Sequence, residues 1–167
     1  HPMSQGIAIE GLRLVKEYLL RAYNNPDDLE ARAHMMSAAM MGATAFQKGL
    51  GAVHALSHPI GAVYGTHHGT TNAVVIPPVL DFNRSYIEGR IETLNGYLGL
   101  TGGFDGFKAY VQELNDSLSI PKNLTEMGVK ADRIDELSVM AMADPSVGGN
   151  PVEMTLENTK ELFKACM

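Results

Sequence analysis

The chain has 167 residues, of which 45% are hydrophobic and 19% are charged, and its formal net charge is −6 at pH 7. These values are typical of one globular domain with a sizeable core, and they exclude a surface for the phosphate backbone of nucleic acids, which requires clustered Lys and Arg. No apolar run approaches the roughly 20 residues of a membrane span, and the single cysteine, Cys166, excludes an internal disulfide, so we expect a cytoplasmic protein.

The first two predicted elements are helices. Apolar residues between positions 7 and 20 recur at the spacing of one face of an amphipathic helix. Asn25 is predicted to cap a second helix, because Pro26 fits the first helical turn. The centre of that helix, residues 35–45, is apolar nearly all round. This composition predicts a helix buried in the middle of the bundle, packed against the helix that carries His54.

The rest of the chain also has helical periodicity. Residues 73–76 are rich in β-branched side chains, but the run is short and flanked by helix signals, so a buried helix fits about as well as a strand. Thr155 is the predicted N-cap of the last helix. The sequence therefore predicts one all-α domain, a helical bundle over residues 1–167. Its further helices are expected at 50–64, from 67 past Pro77-Pro78, at 85–98, 104–118 and 131–143, and from 156 to the end.

Four of the six histidines lie within fifteen residues, in the run G-A-V-H-A-L-S-H-P-I-G-A-V-Y-G-T-H-H-G at positions 51–69. A lone histidine is usually structural, but a cluster this dense among glycines points to a metal site, since histidine is the commonest metal ligand. His54 and His58 are four residues apart and share one helix face. By this spacing alone they would be the metal pair.

The run F-Q-K-G-L-G-A-V-H-A-L-S-H-P-I-G-A-V-Y-G-T-H-H-G-T-T-N-A-V-V-I-P-P-V-L-D-F-N at positions 46–83 resembles the signature of the iron-containing (group III) alcohol dehydrogenases. That pattern is G-x-x-H-x-x-x-H-x-x-G, then a histidine-glycine pair, then N-A-x-x-x-P-x-V-x-x-x-N. The match is close over these positions. It extends more loosely to P-M-S-Q-G-I-A at the start and to G-G-N-P around Asn150. A match of this length is far more specific than a pair of histidines.

The resemblance assigns roles to the histidines that differ from those suggested by spacing. The family's metal ligands are an Asp and three His, and by position His54 and His68 are the last two. His58 matches a histidine beside the nicotinamide end of the cofactor, where it is expected to act in catalysis, and His67 has no expected role. The resemblance implies hydride transfer between an alcohol or aldehyde and NAD or NADP, with a divalent metal, Fe²⁺ or alternatively Zn²⁺, that polarises the alcohol oxygen.

The same resemblance implies that this chain is the C-terminal metal-binding domain of a longer enzyme. The first two ligands and the N-terminal dinucleotide-binding domain are expected before His1, so the chain alone is expected to be inactive. The complete enzyme is expected to be a homo-oligomer. Phe46 and Ser146 are weaker candidates for the substrate pocket, with a core aromatic and a plain connector as the alternatives. His34 and Lys48 are interpreted as structural and solvated residues.

Two other functions are compatible with a histidine cluster. A helical metallohydrolase would need a further acidic ligand and a general base nearby, and Asp81 is the first carboxylate after the motif, with Glu88 next. The other alternative is a non-enzymatic module for metal binding or oligomerisation. Formation of NADH from a simple alcohol by the full-length protein would separate the dehydrogenase from both.

Overall fold

The computed structural model describes residues 1–167 and contains seven α-helices and no strand, so the predicted all-α class is confirmed. None of the helices is long and apolar enough to cross a bilayer. In chain order the helices are α1 (Pro2–Asn24), α2 (Leu29–Ala45), α3 (Ala52–Tyr64), α4 (His68–Leu98), α5 (Gly103–Ser117), α6 (Ile134–Met142) and α7 (Leu156–Ala165).

Helix α4 is a single helix of 31 residues, where the sequence predicted two segments. Pro77 and Pro78 lie inside it, although each lacks the N–H that would bond to the preceding turn. Val74, Val75 and Val79 are buried on either side of the prolines. Packing of this apolar face therefore holds the helix through the two prolines, and it decides the ambiguous β-rich run at 73–76 in favour of a buried helix.

Helix α3 lies in the main hydrophobic core, between α4 and α6. Its residues Ala55, Leu56 and Ile60 are fully buried. They pack with residues of α4, α6 and α7, among them Val75, Leu137 and Phe163. The helix that carries His54 and His58 is thus anchored by its opposite face, which makes it a rigid support for side chains.

Helix α2 is not in the middle of the bundle, and that prediction is wrong. It packs against α1, while the helices that contact α3 most are α4 and α6. Met36 and Met40 are 75% and 74% exposed. An apolar composition indicates that a helix has faces to bury, but it does not name the partner that covers them. The N-cap is Asp28, which accepts the Ala31 N–H, and not Asn25.

Small residues set the distance between α1 and α2. Gly11 and Ala38 are buried where the two helices meet, and a Cβ added at Gly11 would lie 3.3 Å from the Cβ of Met41. Larger side chains at these positions would push the helices apart, because packed interiors have little free volume.

We therefore expect Ala38→Leu to destabilise the chain by about 1–3 kcal/mol, the typical cost of overpacking. Ala39→Leu, on the exposed side of the same helix, is the matched control and should change stability by less than about 0.5 kcal/mol. Urea unfolding followed by circular dichroism measures both. Equal effects of the two substitutions would contradict the tight α1–α2 contact.

Candidate metal centre

A short turn brings histidines from two helices together. His54 and His58 lie one helical turn apart on α3, away from its buried face. The helix ends at Gly65, whose φ of 64° is a left-handed conformation that glycine adopts without strain. Three residues separate Tyr64, the last residue of α3, from His68, where α4 begins. The chain reverses over this turn, and the second helix starts beside the histidines of the first.

The three imidazole rings form a compact triangle. The ring centroids of His54 and His68 are 5.2 Å apart, those of His54 and His58 5.6 Å, and those of His58 and His68 5.5 Å. The amide Nδ2 of Asn72, one turn along α4, lies 3.0 Å from Nε2 of His68 and orients that ring. The structure thus assembles the three histidines that the sequence singled out.

The other three histidines lie outside the triangle. His1 is the N-cap of α1, where its Nδ1 accepts the Met3 N–H. His67 is the N-cap of α4, where its Nδ1 accepts the Thr70 N–H at 3.3 Å. The ring of His34 stacks on Tyr18 with centroids 4.1 Å apart, so it joins α2 to α1. Lys48 is exposed to solvent.

The environment of His54 favours its neutral form. Burial lowers the pKa of His54, and the neighbouring His68 and His58 lower it further, because a charge on one ring opposes a charge on the next. A neutral imidazole has the free lone pair that a metal ligand needs. Imidazole nitrogens suit both Fe²⁺ and Zn²⁺, so the donor set fits the metals that the sequence suggested.

This chain does not contain a group of three His, Cys, Asp or Glu side chains in an arrangement that could hold a metal ion. The nearby carboxylate is engaged elsewhere. Asp144 Oδ2 lies 2.7 Å from Nδ1 of His58, and Oδ1 accepts the Ser146 N–H at 2.8 Å. Of the three rings in the triangle, those of His54 and His68 are therefore the two that are not bonded to a carboxylate.

The sequence analysis missed Asp144. It lies 86 residues after His58, so no local spacing connects the two. Burial alone would raise the pKa of Asp144, but the hydrogen bonds from Ser146 and His58 outweigh burial and lower it below its ordinary value. The one available signal was the Asp-Pro pair at 144–145, which predicts a turn and carries no information about a histidine elsewhere.

The two weaker pocket candidates lie in different surroundings. Ser146 is buried next to Asp144, and its backbone N–H is bonded to that carboxylate. Phe46 follows α2 and is 54% exposed. It lines an apolar cavity of about 390 Å³ between α1 and α2, whose lining includes no histidine. The structure thus brings Ser146 close to the histidine triangle through Asp144 and gives no such link for Phe46.

Two side-chain amides, the buried Asn83 and the half-buried Asn150, join the parts of the site. Nδ2 of Asn83 donates to Oδ1 of Asn150 at 3.0 Å, and Nδ2 of Asn150 donates to Oδ1 of Asn83 at 2.8 Å. The same Oδ1 of Asn150 accepts the Ala52 N–H at 3.1 Å. This amide pair connects α4, the turn Pro145–Gly149 and the first residue of α3.

Glycines allow the loops on either side to touch. A Cβ at Gly149 would collide with the carbonyl oxygen of Leu50, and a Cβ at Gly51 would lie 3.0 Å from Oδ1 of Asn150. The backbone before α3 and the backbone after Asp144 therefore pack directly against each other. This contact accounts for Gly149 of the G-G-N stretch, whereas a Cβ at Gly148 would meet nothing within 4 Å.

Comparison with known proteins identifies the family. The profile of the Fe-containing alcohol dehydrogenase family, C-terminal, matches residues 1–167, and the chain belongs to this family. It is 38% identical to 4-hydroxybutyrate dehydrogenase of Cupriavidus necator over all of this chain and 46% of that protein. It is 34% identical to the NAD-dependent methanol dehydrogenase of Bacillus methanolicus, over 98% of this chain and 45% of that protein.

Solved structures agree with the sequence relatives. A crystal structure of 1,3-propanediol oxidoreductase superposes with a TM-score of 0.95 at 26% identity and covers 100% of this chain and 46% of the other. Iron-containing alcohol dehydrogenase from Thermococcus thioreducens gives a TM-score of 0.89 at 31% identity, over 99% of this chain and 44% of the other. The chain spans a little under half the length of the relatives it matches.

The amide pair can be tested by its stability. Asn83→Ala removes two hydrogen bonds with Asn150, whose Oδ1 still accepts the Ala52 N–H and whose Nδ2 still donates to the Val152 carbonyl. Because those partners remain, we expect a loss of about 0.5–1.5 kcal/mol in the free energy of unfolding. Asn24→Ala, at the exposed end of α1, is the control and should have little effect. Adding Asn150→Ala to Asn83→Ala should cost less than Asn150→Ala alone, because the pair is already broken. Strict additivity would show that the two amides act independently.

Proposed function

We propose that this chain is the C-terminal, metal-binding part of an alcohol dehydrogenase that transfers hydride between an alcohol or aldehyde and NAD or NADP. The observation that carries the proposal is the convergence of His54, His58 and His68 from two rigid helices, at the positions that match the family signature. Family membership over the whole chain supports it.

In this proposal His54 and His68 are the ligands to a divalent metal. When bound, the metal, Fe²⁺ in the first instance and Zn²⁺ as the alternative, supplies Lewis acidity towards the alcohol oxygen. His54 is half-buried and biased towards its neutral form, which suits a ligand. An Asp and a third His, outside these 167 residues, would complete the ligand set.

His58 is assigned to the reaction and not to the metal. Its Nδ1 is already bonded to Asp144, and its ring lies against that of His68, 5.5 Å away between centroids. From there it can accept the proton of the alcohol or contact the nicotinamide ring. The ring is partly exposed, so a proton taken up there can leave to solvent.

The complete enzyme would also need a dinucleotide-binding domain, which we propose precedes this one in the full-length protein. The relatives are more than twice as long as the part that this chain matches. We propose a small alcohol or aldehyde as the substrate, with Ser146 near the site as a candidate pocket residue and Phe46 without a link to it. The exposed Met36 and Met40 of α2 support a contact with another domain or a second copy.

A metallohydrolase is the alternative that Asp144 could have favoured, since it puts a carboxylate beside the histidines. Both oxygens of that carboxylate are occupied, one by His58 and the other by the Ser146 N–H. A carboxylate whose two oxygens are both hydrogen-bonded is poorly placed to bind a metal as well. The geometry therefore supports the dehydrogenase over the hydrolase.

Metal analysis of purified full-length variants tests the assignment. We expect His54→Ala and His68→Ala each to abolish tight metal binding. His58→Ala should keep the metal but lower turnover by about 10²–10⁴-fold, the usual contribution of a general acid or base. His34→Ala, which removes only the stacking on Tyr18, is the control that should keep both. If His58→Ala were the only variant that lost the metal, His58 would be a ligand, and the proposed assignment of ligand and catalytic group would be wrong.

The isolated chain should have no dehydrogenase activity and at most weak metal affinity. Two histidines leave the other coordination positions to water, whereas catalytic zinc-type sites normally have three protein ligands. Titration calorimetry with Fe²⁺ or Zn²⁺ and an assay of alcohol-dependent NAD reduction measure the two properties. Residual affinity should fall as the pH is lowered, because protonated imidazoles cannot bind the metal. Measurable NAD reduction by these 167 residues would contradict the proposal that ligands outside this chain complete the metal site.

A further inference from the structure

We propose that Asp144 is a positioning residue that fixes the tautomer and the orientation of His58, with the proton on Nδ1 and the lone pair on Nε2. The inference rests on the proposed function of His58 but adds a residue that neither the sequence motif nor the roles discussed above assign. The contact between Asp144 Oδ2 and His58 Nδ1 is 2.7 Å long, within the range of a charge-assisted hydrogen bond.

The carboxylate is held independently of the histidine. Its Oδ1 accepts the Ser146 N–H at 2.8 Å and caps the turn Pro145–Gly149. That turn is fixed in its own right by Asn150 and by the backbone contact of Gly149 with Leu50. Asp144 is 13% exposed, whereas the side chain of His58 is 42% exposed. The better-fixed partner is the carboxylate, which is the order expected when a carboxylate orients a histidine.

The chemistry of the pair determines the tautomer. An ionised carboxylate only accepts hydrogen bonds, so the Nδ1 of a neutral His58 must carry the proton. Nε2 then has the lone pair and can accept the hydroxyl proton of an alcohol, which makes the ring an imidazolium cation. The adjacent carboxylate stabilises that cation, and the exposed ring can pass the proton on to solvent. The alcohol becomes a carbonyl compound as its hydride goes to the nicotinamide and its proton passes through His58 to solvent.

A purely structural role for Asp144, as the cap of its own turn, is the competing explanation. It predicts that removing the carboxylate loosens the 145–149 turn. It also predicts that neutral His58 has no preferred tautomer, even in the wild-type chain. The two explanations predict different protonation of the ring nitrogens of His58. They also predict different effects of Asp144→Ala on kcat in a variant that already lacks the His58 ring.

The first measurement is NMR of the 167-residue chain with ¹⁵N-labelled histidine, at about pH 8.5, well above the ordinary histidine pKa. In the wild-type chain we expect His58 to be protonated at Nδ1. In Asp144→Ala this preference should be lost, with a shift towards the Nε2-protonated form. Asp135→Asn, which removes a surface carboxylate paired with Lys160, is the matched control and should leave the His58 signals unchanged. A wild-type ring protonated at Nε2, or unaltered signals in Asp144→Ala, would overturn the proposal.

The second measurement is a kinetic cycle in the full-length protein. Asp144→Ala and Asp144→Asn should each lower kcat by about 10–100-fold at an unchanged metal content, the usual cost of losing such an outer partner. In a His58→Ala background, Asp144→Ala should lower kcat no further, because its effect passes through the ring. A further loss of kcat in that background would show that Asp144 has a structural role. Loss of the metal from the Asp144 variants would show that Asp144 is a ligand. Each of these results would overturn the proposal. If the full-length protein oxidises no alcohol, the proposed function fails, while the NMR result still decides the role of Asp144.

Discussion

The site depends on the hydrogen-bonded pair formed by Asn83 and Asn150. Each amide satisfies the other, and Asn150 also receives the N–H of Ala52, the first residue of the helix that carries His54 and His58. The amide of Asn83 is buried and that of Asn150 is half-buried. Amides removed from water need hydrogen-bond partners, and here the partners belong to three separate parts of the chain. The hydrogen-bond requirement of two side chains therefore fixes α3, α4 and the loop after Asp144 relative to one another.

Electrostatics then determine what this rigid frame can hold. Three imidazoles within 5.2–5.6 Å of one another cannot all be charged without repulsion, and burial of His54 adds to that penalty. Asp144 is the only carboxylate bonded to the triangle, and it contacts His58 alone. This hydrogen bond distinguishes His58 from the other two rings. The proposal that His54 and His68 bind the metal while His58 takes up the proton is consistent with this difference and stays a prediction until the variants are measured.

Local patterns predicted the features that local physics controls. Thr155 caps α7 with a reciprocal capping box, and the histidine cluster lies at a helix–turn–helix, both as the sequence indicated. The failures involve distant partners. The amphipathic period could not indicate that α2 would pair with α1. It also could not indicate that the segment predicted to pass Pro77 and Pro78 would continue into the one predicted at 85–98 as the single helix α4. Asp144 was missed for the same reason, since its partner lies 86 residues away.

The G-G-N-P stretch around Asn150 gains a physical meaning from this arrangement. Read as sequence, it is a glycine- and proline-rich connector, and such segments usually have no further role. In the fold, Gly149 allows the backbone to touch Leu50, and Asn150 joins the amide pair. Asp144 lies a few residues earlier and contacts His58, because the Pro145–Gly149 turn between Asp144 and Asn150 is held in place. The loop is thus a part of the site that is separated in sequence from the histidines it supports. Gly149 is needed there for close packing, where flexibility would have been the simpler interpretation.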